Sequence, residues 1–267
     1  MDQNERSSRV RGDASSSSSR QAQASRREGN LSNFLTPRVL ALLVSGLLVA
    51  IVLAFIFARQ DLALSSAAQA LPNSHADFSF WWLVNYYGEV PTWTIVIMAA
   101  LTYLASFVSG RLEKTLARYR PHLAFLLLTA ALAPGLLDQG LKAIIRRPRP
   151  GDGLGFLPLF KIGPAAHDNG FPSGHTAAAF VLLAMAFLVP RTKPVLRAVV
   201  GAGFFIWGAA VGLARVVYGV HYPSDVLFGA LLTLTVEIVL WGAVFRRRIA
   251  AADSPGAGGS DGLVHAQ

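Results

Sequence analysis

Three short segments of this 267-residue chain carry side chains that could do chemistry together. The first, LKAIIRRPRPGDG, places six residues between Lys142 and Arg149, which is followed by Pro150. The second is PSGH, ending in Ser173, Gly174 and His175. The third, ARVVYGVHYPSD, sets His221 six positions after Arg215 and Asp225 four positions after His221. Lys142, Arg149 and Arg215 are cations expected to lack an equal set of carboxylates nearby. Phosphate is the anion that suits them best, because guanidinium groups grip its oxygens in pairs. Ser173 reads as an N-cap. The helix beginning near His175 then aims unpaired N–H groups and a positive dipole end at the same place. Gly174 has no side chain to keep its own N–H from a phosphate oxygen.

Two imidazoles complete the set. With Pro223 opening a helix, His221 and Asp225 lie about one turn apart. Asp225 can accept from one ring nitrogen of His221, fix the tautomer and leave the other nitrogen as a lone-pair nucleophile. His175 can give a proton to the leaving oxygen and later draw one from water. The expected intermediate is a phosphohistidine, with the cations stabilising charge on the phosphoryl oxygens. Such chemistry needs no metal and no cofactor, and the sequence holds no His and carboxylate cluster that suggests one. The chain has no cysteine, which excludes disulfides, thiolate metal sites and a cysteine nucleophile.

The elements that must position these residues are apolar. Of the chain, 53% is hydrophobic and 15% charged, well below the roughly 25% charge of ordinary soluble domains. The apolar residues come in blocks, at 39–58, 93–110, 123–137, 176–190, 198–213 and 226–245. A block of about 20 residues crosses a hydrocarbon core of about 30 Å. The expected fold is therefore all-α, a polytopic bundle of six membrane helices. Residues 1–34, rich in Ser and Arg, read as a disordered cytosolic tail, 35–250 as the six-span domain and 251–267 as a flexible tail. The net charge of +9 does not point to nucleic acid, because the basic residues fall between the apolar blocks. They gather in the N-terminal segment, near Arg111–Arg120, near Arg191–Arg197 and at Arg246–Arg248. On the positive-inside rule both termini are cytosolic, and the three polar segments share the opposite face. The expected setting is a bacterial plasma membrane with the site on its periplasmic or extracellular side. The lipid bilayer and a membrane lipid phosphate are the expected partners.

The three segments resemble the signature of the type-2 phosphatidic acid phosphatase superfamily, the integral-membrane lipid phosphate phosphatases. Its pattern is Lys, six residues, Arg-Pro; then Pro-Ser-Gly-His; then Ser-Arg, five residues, His, three residues, Asp. KAIIRRPRP, PSGH and RVVYGVHYPSD match it in order, over Lys142 to Asp225. The resemblance implies a nucleophile at His221 oriented by Asp225, a general acid at His175, and phosphate ligands at Lys142, Arg149, Ser173, Gly174 and Arg215. It implies metal-independent hydrolysis of a lipid phosphate or diphosphate, of the phosphatidate or undecaprenyl diphosphate kind, at the non-cytosolic face. A phosphotransferase using the same intermediate, or a non-catalytic transporter or scaffold keeping the anion site, are the alternatives. One position departs: Ala214 stands where the family has serine, which removes a hydroxyl expected to help hold the phosphate.

Other residues have plainer readings. Asp138 is expected to pair with Lys142 one turn on, and Arg146 and Arg147 to meet substrate or lipid headgroups. The aromatic run DFSFWWLVNYYG reads as an interfacial anchor or short interfacial helix. His75, His122, His167 and His265 read as incidental, and Glu237, inside the last apolar block, needs a partner or a proton.

Overall fold

The computed structural model describes residues 37–71, 76–108, 110–150, 169–190 and 192–252. The tail expected over residues 1–34, His75, His167 and His265 lie outside them, as do residues 253–267. The chain divides into Met1–Ala41 and Leu42–Gln267, and the bundle with its polar residues lies in the second. Every regular element among the described residues is helical. They are α1 (Pro37–Ala58), α2 (Asp61–Gln69), α3 (Phe80–Tyr87) and α4 (Val90–Ala105). Then come the runs α5 (Arg111–Ile145), α6 (Gly174–Leu188), α7 (Pro194–Val217) and α8 (Pro223–Ile249).

Five helical runs are long and apolar enough to cross a membrane by length and composition: α1, α3 with α4, α5, α7 and α8. The remaining apolar helix, α6, falls in a shorter class of 10–17 residues. The helices also outrun the apolar blocks that mark them in the sequence. α5 continues past residue 137 to Ile145 and carries Lys142 on its last turns. Proline at positions N1 or N2 starts α4, α7 and α8, where its missing N–H is no loss. Pro134 sits inside α5 and coincides with a π-helical stretch at Ala131–Leu137, the local widening that a missing N–H tends to cause.

The outer surface is greasy. Leu48, Phe55 and Phe57 on α1, Leu101 and Leu104 on α4, and Val199 and Ile206 on α7 are all exposed large hydrophobics. A helix satisfies its own backbone groups, so it can present such a surface to lipid. Inside, one apolar cluster is built on Phe125, Leu126, Val181, Val236, Leu240 and Phe245. Phe125 stands 5.5 Å from Phe245 and 5.7 Å from Trp241 between ring centroids. A second cluster, with Ala50, Ala54, Phe171, Phe228 and Leu232, joins α1 to α8 beneath the polar end of the bundle. α6 packs against both α7 and α8, so its first turn is held from two sides.

One close approach depends on Gly229. A Cβ there would stand 2.7 Å from the carbonyl oxygen of Ser173, which is backbone and cannot swing aside. We expect Gly229→Ala to lower stability by about 1–3 kcal/mol, the usual cost of overpacking. A thermal melt of the purified protein in detergent measures it, and an unchanged melting point would refute the close packing of α6 on α8.

Candidate active site

The polar residues gather where α5 ends, α6 begins, α7 ends and α8 begins. The chain reaches this rim through a few backbone devices. α5 stops at Arg146, whose φ of 36° and ψ of 50° are left-handed, a common helix stop. The turn sends Arg147 inward. The Gly170 N–H donates to the Arg147 carbonyl at 2.8 Å, and the Ser173 N–H donates to the Asp225 carbonyl at 3.1 Å. Main-chain bonds therefore tie the three signature segments to one another before any side chain is considered.

His221 lies in the turn between α7 and α8 and is 3% exposed. Its Nδ1 is 2.6 Å from the Gly170 carbonyl oxygen. A carbonyl only accepts, so Nδ1 carries the proton and Nε2 carries the lone pair. The expectation that Asp225 takes this hydrogen bond is corrected. Asp225 Oδ2 is 3.7 Å from Nδ1, beyond hydrogen-bond range, although close enough to act through its charge. The reason is that Asp225 is already engaged as the third residue of α8. Its Oδ2 accepts from the Tyr222 N–H at 2.8 Å, and its Oδ1 accepts from Arg147 Nη1 at 2.5 Å. Burial pushes the His221 imidazole below its ordinary pKa. Asp225 and the Gly170 bond work against that shift, and Arg215 adds to it. The ring is neutral at pH 7.

His175 opens α6 and is half-buried. Arg215, His221, Lys142 and Arg149 all act on it electrostatically, so both imidazoles and all three expected cations share one small region. Its Nε2 is 3.5 Å from Glu89 Oε1. Lys142 Nζ pairs with Asp138 at 2.7 Å, as the four-residue spacing suggests. Arg215 Nη1 donates to Asn85 Oδ1 at 2.8 Å, and Arg149 Nη2 to Asn169 Oδ1 at 2.9 Å. Of the three cations only Lys142 has a carboxylate in ion-pair contact among the described residues, Asp138, while amide oxygens meet the two arginines. An amide oxygen orients a guanidinium without cancelling its charge.

Gly174 keeps this arrangement compact. A Cβ at that position would lie 2.6 Å from Lys142 Nζ and 3.0 Å from Asp138 Oδ2. Ser173 does not behave as expected. It occupies the N-cap position of α6 with extended backbone, but its side chain makes no cap bond. Its hydroxyl faces the Thr176 hydroxyl at 2.9 Å, and the residue is fully buried. The amide N–H groups of the first turn are therefore not blocked by that hydroxyl.

Several site residues are not legible as such in the sequence. Arg147 is not a headgroup contact: it is fully buried, its Nη2 meets Asp61 at 2.8 Å, and its guanidinium lies 4.2 Å from the centre of the Tyr222 ring. Burial works against its charge, and Asp225 and Asp61 more than offset this, so its pKa lies above the usual guanidinium value. Asp61, Asn85 and Glu89 come from α2, from α3 and from just before α4. The aromatic run is thus more than an anchor. It folds as α3, with Ser79 accepting from the Trp82 N–H at 3.1 Å, and delivers buried Asn85 to Arg215. Ala214 is fully buried beside Val84, Ala179 and Val211. Glu237 is fully buried and neither carboxylate oxygen has a hydrogen-bond partner among the described residues. Among the described residues no group of three or more His, Cys, Asp or Glu could hold a metal ion.

An all-helical bundle with apolar outer faces and a cationic rim around two imidazoles defines a class, helical membrane proteins with a polar site at one end of the bundle. Residues 122–249 match the model described as the PAP2 superfamily. It is similar to the lipid A 1-phosphatase of Rhizobium johnstonii, 38% identical over 43% of this chain and 47% of the relative. It is also similar to the lipid A 1-phosphatase of Rhizobium etli, 37% identical over 48% of this chain and 54% of the relative. The chain spans about half the length of these curated relatives. A solved structure, described as the first transmembrane PAP2 type phosphatidylglycerolphosphate phosphatase from Bacillus subtilis, is similar at 24% identity. That likeness covers 78% of this chain and 96% of the other, with a TM-score of 0.45.

Asn85 is the test of how the rim is held. Asn85→Ala leaves a buried guanidinium without its amide partner, a loss of about 1.5–3 kcal/mol for a hydrogen bond to a charged group. We expect a lower melting point and weaker binding of orthovanadate, a phosphate mimic, measured by titration calorimetry. Unchanged values for both would show that Arg215 is held by something else.

Proposed function

We propose that this protein is a metal-independent lipid phosphate or diphosphate phosphatase acting through a phosphohistidine. The observation that carries the reading is the Gly170 carbonyl on His221 Nδ1, because it leaves Nε2 as a neutral lone-pair nucleophile in the region where Arg215, Lys142 and Arg149 act on His175. His221 Nε2 attacks phosphorus, and His175, which takes up a proton from solvent as the phosphate anion arrives beside it, passes that proton to the leaving oxygen. Lys142, Arg149, Arg215 and the N–H groups around Gly174 hold the phosphoryl oxygens as charge builds on them. Water then attacks the phosphohistidine with His175 as base, releasing phosphate and restoring His221. Ser173, buried against Thr176, supports the turn through its backbone, and Asp225 acts on His221 through its field.

The relatives named lipid A 1-phosphatase support a phosphate carried on a lipid. The apolar outer faces of α1, α4 and α7 support a substrate delivered from the bilayer. Phosphatidate-type lipids and undecaprenyl diphosphate are the candidates, with a lipid A 1-phosphate as a third. A phosphotransferase would use the same steps with a lipid hydroxyl in place of water.

His221→Ala is expected to abolish phosphate release from every member of such a substrate panel while the protein still inserts into membranes. Wild type given radiolabelled substrate is expected to trap a label that is stable to base and lost in acid. Release that survives in His221→Ala would sink the nucleophile assignment, and release that requires an added lipid acceptor would make the protein a transferase.

The placement proposed is six spans, both termini cytosolic, with the site on the opposite face of a bacterial plasma membrane. Because the natural chain has no cysteine, single ones report cleanly. A cysteine in place of Ala76 should react with an impermeant maleimide added to intact spheroplasts, and one in place of Thr192 should be protected until they are lysed. The reverse pattern overturns the orientation.

A further inference from the structure

Behind His221 lies a group of buried charges that the chemistry above leaves idle. Asp61, Arg147, Ser224 and Asp225 are all fully buried. Arg147 Nη1 donates to Asp225 Oδ1 at 2.5 Å and to Ser224 Oγ at 2.7 Å, and Nη2 donates to Asp61 Oδ2 at 2.8 Å. Asp61 also accepts from Ser224, through the backbone N–H at 2.9 Å and the hydroxyl at 2.5 Å. Arg147 therefore stands between two carboxylates. One of them, Asp225, meets Arg147 with one oxygen and faces His221 Nδ1 with the other, at 3.7 Å.

That position is hazardous for a nucleophile. A buried carboxylate so near an imidazole favours the imidazolium, which has no lone pair to offer. We propose that Asp61 and Arg147 are positioning residues for the nucleophile, Arg147 drawing the charge of Asp225 away from His221 and Asp61 setting how strongly it does so. The proposal rests on the reading of His221 as the attacking group.

The charges that face His221 are few and come from every element around it. Asp225 belongs to α8, Arg215 to the end of α7 and His175 to the start of α6. Lys142 and Asp138 on α5 form their pair beside Gly174, next to His175. Arg147, from the connection after α5, and Asp61, on α2, lie behind Asp225. Removing the Arg147 charge leaves His221 in the full field of Asp225, and its pKa rises. Removing the Asp61 charge leaves Arg147 to Asp225 alone, and the His221 pKa falls. A brace that served folding alone would have no reason to give opposite signs.

The test uses the full chain in lipid nanodiscs with 15N-labelled histidine. The His221 signal is the one missing from His221→Ala, and its ring nitrogens are followed against pH. In parallel, kcat/KM for a lipid phosphate is measured from pH 4 to 9 in the same samples. Wild-type His221 is expected to titrate below about 6.5, the ordinary imidazole value. Arg147→Gln is expected to move that titration, and the acid limb of kcat/KM with it, upward by about one unit or more. Arg147→Lys keeps the charge but loses the two-sided grip, so it should move both upward by less; it also serves if Arg147→Gln does not fold. Asp61→Asn should move both downward. No shift in the Arg147 variants, or shifts of one sign in the Arg147 and Asp61 variants, overturns the proposal. The two readings fail separately. If the titrations shift as stated but His221→Ala still releases phosphate, the brace stands and the nucleophile is wrong. If His221→Ala is dead and the titrations do not move, the nucleophile stands and the brace is wrong.

Discussion

A carboxylate kept out of water next to a neutral imidazole survives only if a third charge holds it. Asp225 meets that condition through Arg147, and Arg147 meets it again through Asp61. Desolvating the three groups is expensive, and their mutual attraction repays it only because the geometry is close and most remaining polar atoms are bonded. Taking away one member of such a set typically costs about 3–5 kcal/mol, since a bare buried charge is left behind. The same bonds join α2, the connection after α5 and the start of α8. These pieces are far apart in sequence, and the ion group ties α2 to the two segments that the main-chain bonds through Gly170 and Ser173 already hold together. The rim is therefore organised from behind, by charges that lie on the far side of Asp225 from His221.

In front, the logic reverses. On the proposed reading these groups receive an anion, and they must be oriented without being neutralised. Arg215 is aligned by the Asn85 amide, and Arg149 meets the Asn169 amide. Lys142 is the exception, lying on the carboxylate of Asp138. An incoming phosphate would have to compete with Asp138 for that ammonium, whereas at Arg215 it would meet a charge that an amide has only steered. Two kinds of partner thus divide the site: carboxylates where charge must be contained, amides where it must stay available. Glu89 is a second carboxylate in this group, 3.5 Å from His175 Nε2.

The signature residues can be read from the sequence because each has a type and a spacing that an apolar chain would otherwise avoid. Lys142, Arg149, His175, Arg215 and His221 do come together at one rim, and the fold is all-helical as the apolar blocks suggest. The rest depends on physics that spacing does not carry. His221 and Asp225 are one turn apart on paper, but Asp225 at the third position of α8 reaches back to the Tyr222 N–H, so the ring turns to Gly170. Ser173 has the right position to cap α6, but its hydroxyl finds Thr176. Asp61, Asn85 and Glu89 sit on or beside short helices between the longer ones, where one polar residue among apolar neighbours looks like ordinary loop composition. Arg147, flanked by Arg146 and Arg149, looks like a surface cation. Only the left-handed turn at Arg146 shows which of them goes inside.

Ala214 shows how the structure can change the weight of a departure from a pattern. In the sequence, an alanine in place of serine beside Arg215 suggests a missing phosphate contact. In the fold, residue 214 lies on the face of α7 turned to Val84, Ala179 and Val211, while Arg215 turns to Asn85. A serine hydroxyl at 214 would lie in apolar surroundings, and it would need a bond to a backbone carbonyl of its own helix to avoid a desolvation cost. Alanine has no such requirement, and packing α3 and α6 against α7 is what this position does. The departure therefore bears on how the helices meet, and the cations and imidazoles at the rim are positioned without it.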